Sequence, residues 1–193
     1  AAAEGERYSI DERFEDEIES LNKKTDDYMI TVGKTSDVLK SIGVKDQTIL
    51  WNAGKIKEIL KKHSEVRYKA GKEKSIMTPD IIKQVPQVLE NPVVVLHSNE
   101  ETGANQGKNY RSRIYMFGEV KDALTQPVSV SLELLPTRKN GLVMDNIVLT
   151  SAYGKNNVQN ALNSDQILYI DPNKKRTAAW LGSTGLQLPV PPT

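Results

Sequence analysis

The stretch Trp51–His63, WNAGKIKEILKKH, decides how the rest of the chain is read. Ile56, Ile59 and Leu60 recur at spacings of three and four, so a helix places them on one face. His63 follows Ile56 by seven residues and falls on the same inward face, at the helix end. Lys55, Lys57, Lys61 and Lys62 surround the apolar stripe. An imidazole turned toward the body beside ammonium groups suits the handling of a phosphate ester. The same pattern also suits an ordinary basic helix, because cations and a protonated His are favoured at a helix C-terminus.

Upstream, Thr48–Trp51 (TILW) and Tyr28–Val32 (YMITV) read as short strands, the latter ended by Gly33. Between them, Thr35 or Ser36 caps a helix with Val38, Leu39 and Ile42 inward and Gly43 as a left-handed stop. Residues 9–22 form an acidic helix candidate with Ile10, Phe14, Ile18 and Leu21 on one stripe, and Ser9 with Glu12 makes a capping-box pattern. Residues 1–27 carry ten acidic and four basic side chains, a charge of −6 that leaves +7 on the rest. Such a split sets an acidic helical arm, residues 1–27, apart from a basic body, 28–193. The resemblance given below implies that the arm is a lead-in or linker from a larger protein and the body a single domain.

Downstream, Ser64–Thr78 is polar and basic, with Arg67, Lys69, Lys72 and Lys74, and is expected to be an exposed loop. Thr78 and Pro79 open a helix carrying Ile81, Ile82, Val85, Val88 and Leu89, in which Pro86 is expected to kink or interrupt the turn. Strands follow at Val93–His97, Ser112–Val120, Pro127–Leu135 and Leu142–Ala152, with Asn140-Gly141 as a hairpin signal and 99–109 as a Gly- and Asn-rich loop. A helix over Asn156–Asn163, the strand Ile167–Ile170 and a helix capped by Asn173 close the chain. The expected fold is α+β: N-terminal helices packed on a central antiparallel sheet of about four strands, with a small C-terminal strand–helix unit.

The 193 residues contain no Cys, which excludes disulfides and thiolate chemistry, and only two His. No apolar run reaches the roughly 20 residues of a membrane span. The opening AAAEGERYS has no signal-peptide pattern and reads as a boundary cut from a larger chain. No Gly-rich phosphate loop or metal-ligand spacing occurs, so no cofactor and no metal are expected. A cytoplasmic location, or carriage in a phage particle to a host cytoplasm, fits this composition together with the resemblance below.

Several blocks carry that resemblance: ITVGKTSDVLKSIGVKDQTILWNAGKI (30–56), KKH (61–63), IIKQVPQVLENPVVV (81–95), SRIYMFGEV (112–120), TSAYGK (150–155), ILYIDPNKKRTAAWL (167–181) and TGLQLP (184–189). Over about residues 28–189 the chain resembles the C-terminal domain of phage MuF-type head proteins and of large polyvalent proteins of phages and conjugative elements. That domain is grouped with the barnase, EndoU, colicin and RelE-like nucleases. The resemblance implies a toxin-like, metal-independent ribonuclease of a phage or mobile element. RNA would be its substrate, an inhibitor or immunity protein a possible partner, and upstream domains of a larger polyprotein its neighbours. The segment 66–76 is longer than the pattern, and His97 takes no role from it.

In such a reaction the ribose 2′-hydroxyl attacks its own phosphate, one group takes a proton, another gives one, and cations offset the charge at phosphorus. His63 is the candidate acid or base, since its ordinary pKa lies near neutrality. Arg113, Ser151, Tyr153 and Lys155 complete the candidate catalytic set. Lys55, Lys62, Arg67, Arg111, Lys174 and Arg176 are candidate RNA contacts, and Tyr115 and Trp180 candidate stacking platforms. Each has a structural alternative: salt-bridged arginines, a packed Tyr or Trp, lysines on a solvated face. The catalytic reading requires His63, Arg113 and the Ser151–Lys155 segment to converge on one cleft. The alternative is a catalytically inactive nucleic-acid- or protein-binding module attached to a phage head or polyvalent protein. An ADP-ribosyltransferase using Glu133 lacks the acidic turn motif it would need.

Overall fold

The computed structural model describes residues 9–98, 113–139 and 141–189. The loop expected at 99–109, Arg111 and Asn140 lie outside the described residues. The main sheet contains β1 (Met29–Lys34), β2 (Thr48–Asn52), β3 (Val94–His97), β4 (Arg113–Phe117) and β5 (Val128–Glu133). A separate hairpin joins β6 (Thr137–Lys139) to β7 (Leu142–Met144), and the main sheet resumes with β8 (Ile147–Gly154) and β9 (Gln166–Ile170). The helices are α1 (Phe14–Glu19), α2 (Asp37–Ser41), α3 (Ala53–Lys62), α4 (Glu65–Lys69), α5 (Pro79–Glu90), α6 (Val158–Ser164) and α7 (Lys174–Thr184).

The α+β class stands, but the sheet departs from the expected four antiparallel strands. Among the described residues seven strands run in the order β1-β2-β8-β5-β4-β3-β9, and β2 pairs parallel with β8. Short outlying strands are recruited because their backbone polar groups need partners once buried. The β1–β2 hairpin joins at β8, and β9 adds to β3. The run expected from Leu142 to Ala152 is split between β7 and β8.

Most caps follow the residues that favour them. Ser36, Asn52, Ser64, Thr78 and Asn173 each accept from a backbone N–H in the first turn of the helix they open. The capping box expected at Ser9 and Glu12 does not form. Ser9 instead accepts from the Lys34 N–H, Asp11 donates to the Val32 carbonyl, and α1 begins only at Phe14. Here the unpaired edge of β1 outcompetes the local cap. Helix α5 runs unbroken through the buried Pro86. The apolar stripe it completes against the core outweighs one missing helical hydrogen bond.

One core cluster joins Phe14, Ile18 and Leu21 to α3, α5 and one face of the sheet. Phe14 stacks on Trp51, ring centroids 6.3 Å apart. This core thus includes side chains from before residue 28. A second cluster packs Val94, Leu96, Tyr115 and Phe117 against α6 and Trp180 of α7. These side chains alternate with Val95, Ile114 and Met116 of the first cluster, so helices cover both faces of the sheet.

One irregularity positions the site. In the β5–β8 ladder Ser131 faces Ser151 while Leu132 faces Leu149, leaving Thr150 as an extra residue. This bulge reverses the alternation. Ala152 joins Leu149 in the core, and Ser151 and Tyr153 alternate with it, Tyr153 still packing partly against that core.

Candidate active site

Helix α3 begins where β2 ends, because the Asn52 side chain accepts from the Lys55 N–H at 2.9 Å. Its apolar stripe docks Ile56 and Ile59 in the core and delivers His63 as the C-terminal cap residue. The His63 N–H donates to the Ile59 carbonyl at 2.8 Å, and its own carbonyl accepts from Met77 at 2.8 Å. His63 is 8% exposed. Its ring stacks on Tyr153 with centroids 5.1 Å apart and planes 19° off parallel. Nδ1 lies 3.6 Å from Glu73 Oε2 and makes no hydrogen bond.

Two open grooves meet at this pair. Lys62, His63 and Tyr153 line both. The first, about 440 Å³, runs between α3 and β8 past Lys55, Lys61, Arg67, Thr150 and Ser151. The second, about 790 Å³, continues past Lys72, Lys74, Lys155, Asn157, Asn160 and Asp165. Cations outnumber carboxylates along both walls, so the field favours an anionic strand.

A buried polar latch holds the segment facing His63. Ser75 Oγ donates to Asp122 Oδ2 at 2.8 Å and accepts from the Gly154 N–H at 2.9 Å. Asp122 also accepts from the backbone N–H groups of Leu124 and Gln126, at 2.9 Å each. The latch ties residues 73–77 to the end of β8. A Cβ at Gly154 would stand 2.0 Å from Asp122 Oδ2, so only glycine fits there.

Burial pulls the His63 pKa below its ordinary value, helped by neighbouring Lys62. Glu73, Asp122 and the Ser75 carbonyl oppose that shift without overcoming it, so burial favours the neutral ring. Burial likewise lowers the Lys155 pKa, against Asp165. Lys155 Nζ sits 5.0 Å over the Tyr115 ring. The Tyr115 pKa is raised by burial and by its hydrogen bond to Asp165.

The fold thus brings together His63, Ser151, Tyr153, Lys155, Lys55, Lys62 and Arg67. Arg113 is not among them. It faces Glu133 across the β4–β5 ladder, pairs with Glu133 Oε2 at 3.0 Å, and lines neither groove. The required convergence is therefore met by His63 and β8 and missed by Arg113. Tyr115 is buried, its hydroxyl donating to Asp165, and forms the wall behind Lys155 rather than an open platform. Trp180 is buried against Phe117. Lys174 is exposed at the start of α7. Arg176 is tied inward: Nη1 donates to Asp171 at 2.7 Å, and Nη2 donates to Glu119 and the Asn91 carbonyl at 2.6 Å each.

Residues 64–78, expected as a loop, contain the short helix α4. Glu73, Ser75 and Asp122 escaped the sequence reading. Glu73 sits in a run of charge, KEK, that reads as solvated surface. Asp122 carried a usable signal, since an Asp entering a turn hydrogen-bonds backbone N–H groups a few residues on. Among the described residues no three His, Asp or Glu gather as a metal-ligand set. No helix among them is long and apolar enough to cross a membrane.

Neither a curated protein nor a solved structure matches the chain. The family described as the phage MuF-C-terminal domain matches residues 66–177, a span that begins just after His63 and includes Glu73, the latch, β8 and Lys155. With more than half of its length matched, the chain belongs to the phage MuF-C-terminal domain family.

Proposed function

We propose that the cleft at His63 and Tyr153 binds single-stranded RNA and cleaves it without a metal ion, as a toxin-like domain of a phage or mobile element. The observation that carries this reading is an imidazole set where two basic grooves meet, stacked on Tyr153 of the sheet. Neutral His63 takes the proton of the ribose 2′-hydroxyl as its oxygen bonds to phosphorus. The phosphorus–O5′ bond breaks and leaves a 2′,3′-cyclic phosphate. Lys155, whose burial weakens its hold on a proton, protonates the departing O5′. Arg113 does not line the cleft, so the full convergence expected of a catalytic site is not met, and catalysis here requires Lys62 and Arg67 to offset the charge on the phosphate oxygens in its place. Ser151 positions the phosphate from the bulged strand.

The test is RNA incubated with the purified chain in the presence of chelator. Cyclic-phosphate ends are expected, with the rate lowered on the order of 10²–10⁴-fold in His63→Ala. Intact RNA over a broad substrate set would sink the catalytic reading. A specific observation favours a second one, a binding module without turnover. His63 is mostly covered and Arg113 is turned away, so the cations alone can grip a strand. That reading expects salt-sensitive RNA binding with no products.

A further inference from the structure

Glu73 stands where neither the sequence pattern nor the proposed chemistry calls for a carboxylate. Its side chain is only 12% exposed. Its two oxygens face different groups: Oε1 accepts from Arg67 Nη2 at 3.4 Å, and Oε2 lies 3.6 Å from His63 Nδ1. We infer that Glu73 is the positioning residue of this site, its carboxylate, shared with Arg67, holding His63 with Nδ1 protonated and turned inward so that Nε2 is the atom offered to the substrate. This rests on the reading of His63 as the proton acceptor.

The geometry supports it from three sides. Tyr153 covers one face of the ring, and the Met77 N–H holds the backbone from which the ring hangs. Glu73 cannot drift far, because Ser75 two residues on is fastened to Asp122 and Gly154. Arg67 restrains the carboxylate from the α4 side. A separation of 3.6 Å exceeds a hydrogen bond. Such contacts are often long before substrate is bound and tighten in the complex. The partner of one ring nitrogen decides which nitrogen carries the proton.

The charged and titratable groups around the ring are Arg67 on α4, Glu73 after it, Lys62 on α3, Asp122 before β5, and Tyr153 on β8. The Ser75 carbonyl faces it as well. Of these, Glu73 makes the largest contribution that favours the protonated ring.

The test is nitrogen-15 NMR of the histidines in the whole chain, with His63→Ala assigning one of the two. Neutral His63 is expected as the Nδ1–H tautomer, and Glu73→Gln is expected to move its titration to lower pH. In cleavage assays Glu73→Gln should lower kcat on the order of tenfold with little change in KM, less than loss of the imidazole itself. Glu73→Asp should keep part of the rate. An Nε2–H tautomer in the unmodified chain, or a titration unchanged in Glu73→Gln, would overturn the assignment. The tautomer needs no variant, so a Glu73→Gln chain that fails to fold leaves the question decidable. The expected tautomer and titration without any cleavage would uphold Glu73 as the orienting group and remove the ribonuclease reading.

Discussion

At the scale of the residue, His63 makes stability depend on pH. Its pKa in the fold is lower than the ordinary 6.5, so the unfolded chain binds a proton at a pH where the folded one does not. Stability therefore rises with pH between the folded value and about 6.5, and is lost on acidification through that window. Below the folded value both states are protonated and the loss stops growing. Denaturant unfolding at pH values from 7.5 downward should show this slope, and His63→Phe should flatten it. Arg176 makes the opposite point about reading residues singly. In the basic run KKR it reads as a surface cation, yet it bridges Glu119, Asp171 and the Asn91 and Pro92 carbonyls. Arg176→Ala leaves Asp171 with the Asn173 N–H alone and should cost about 1–3 kcal/mol in chemical unfolding. RNA binding per folded molecule should stay unchanged.

At the scale of the element, the site depends on how β8 ends and how residues 72–77 are fastened to it. Ser75→Ala leaves the Gly154 N–H without its acceptor and removes one donor to Asp122. It should destabilise the chain by about 1–3 kcal/mol. Hydrogen exchange should speed up at Glu73–Met77 more than in the central strands, since the segment is held by few other bonds. Unchanged exchange there would mean the latch does not hold the segment. These partners are far apart in sequence, 47 and 79 residues from Ser75, so no local pattern announces them. The apolar stripe of α3 and the caps at Asn52 and Thr78 were legible because their partners lie within a turn.

At the scale of the whole molecule, the acidic N-terminal segment and the basic groove set two further expectations. Phe14, Ile18 and Leu21 are each at most 3% exposed. Burying such side chains contributes about 1.5–3 kcal/mol apiece. Their sum rivals the roughly 5–15 kcal/mol that holds a domain together. A chain starting at residue 28 should therefore lose its cooperative unfolding transition, as followed by near-ultraviolet circular dichroism. For the groove, RNA affinity should fall steeply with salt. Lys62→Ala or Arg67→Ala should each reduce the slope of log K against log salt by about 0.7, the value for one phosphate contact on a single strand. A slope that neither substitution alters would move the strand off this face.

The amino-acid sequence by itself determined the α+β class, the helix Ala53–Lys62 with His63 at its inward end, and the excess of cations beyond residue 27, because periodicity, capping and charge are local properties. Only the tertiary structure decided that the described residues build a sheet of seven strands, that Thr150 bulges to bring Ser151 and Tyr153 to the grooves at His63, and that Arg113 pairs elsewhere while Glu73 moves in. The reason is that strand register and buried polar pairing are chosen among partners distant along the chain. A one-residue slip reverses which side chains face the groove.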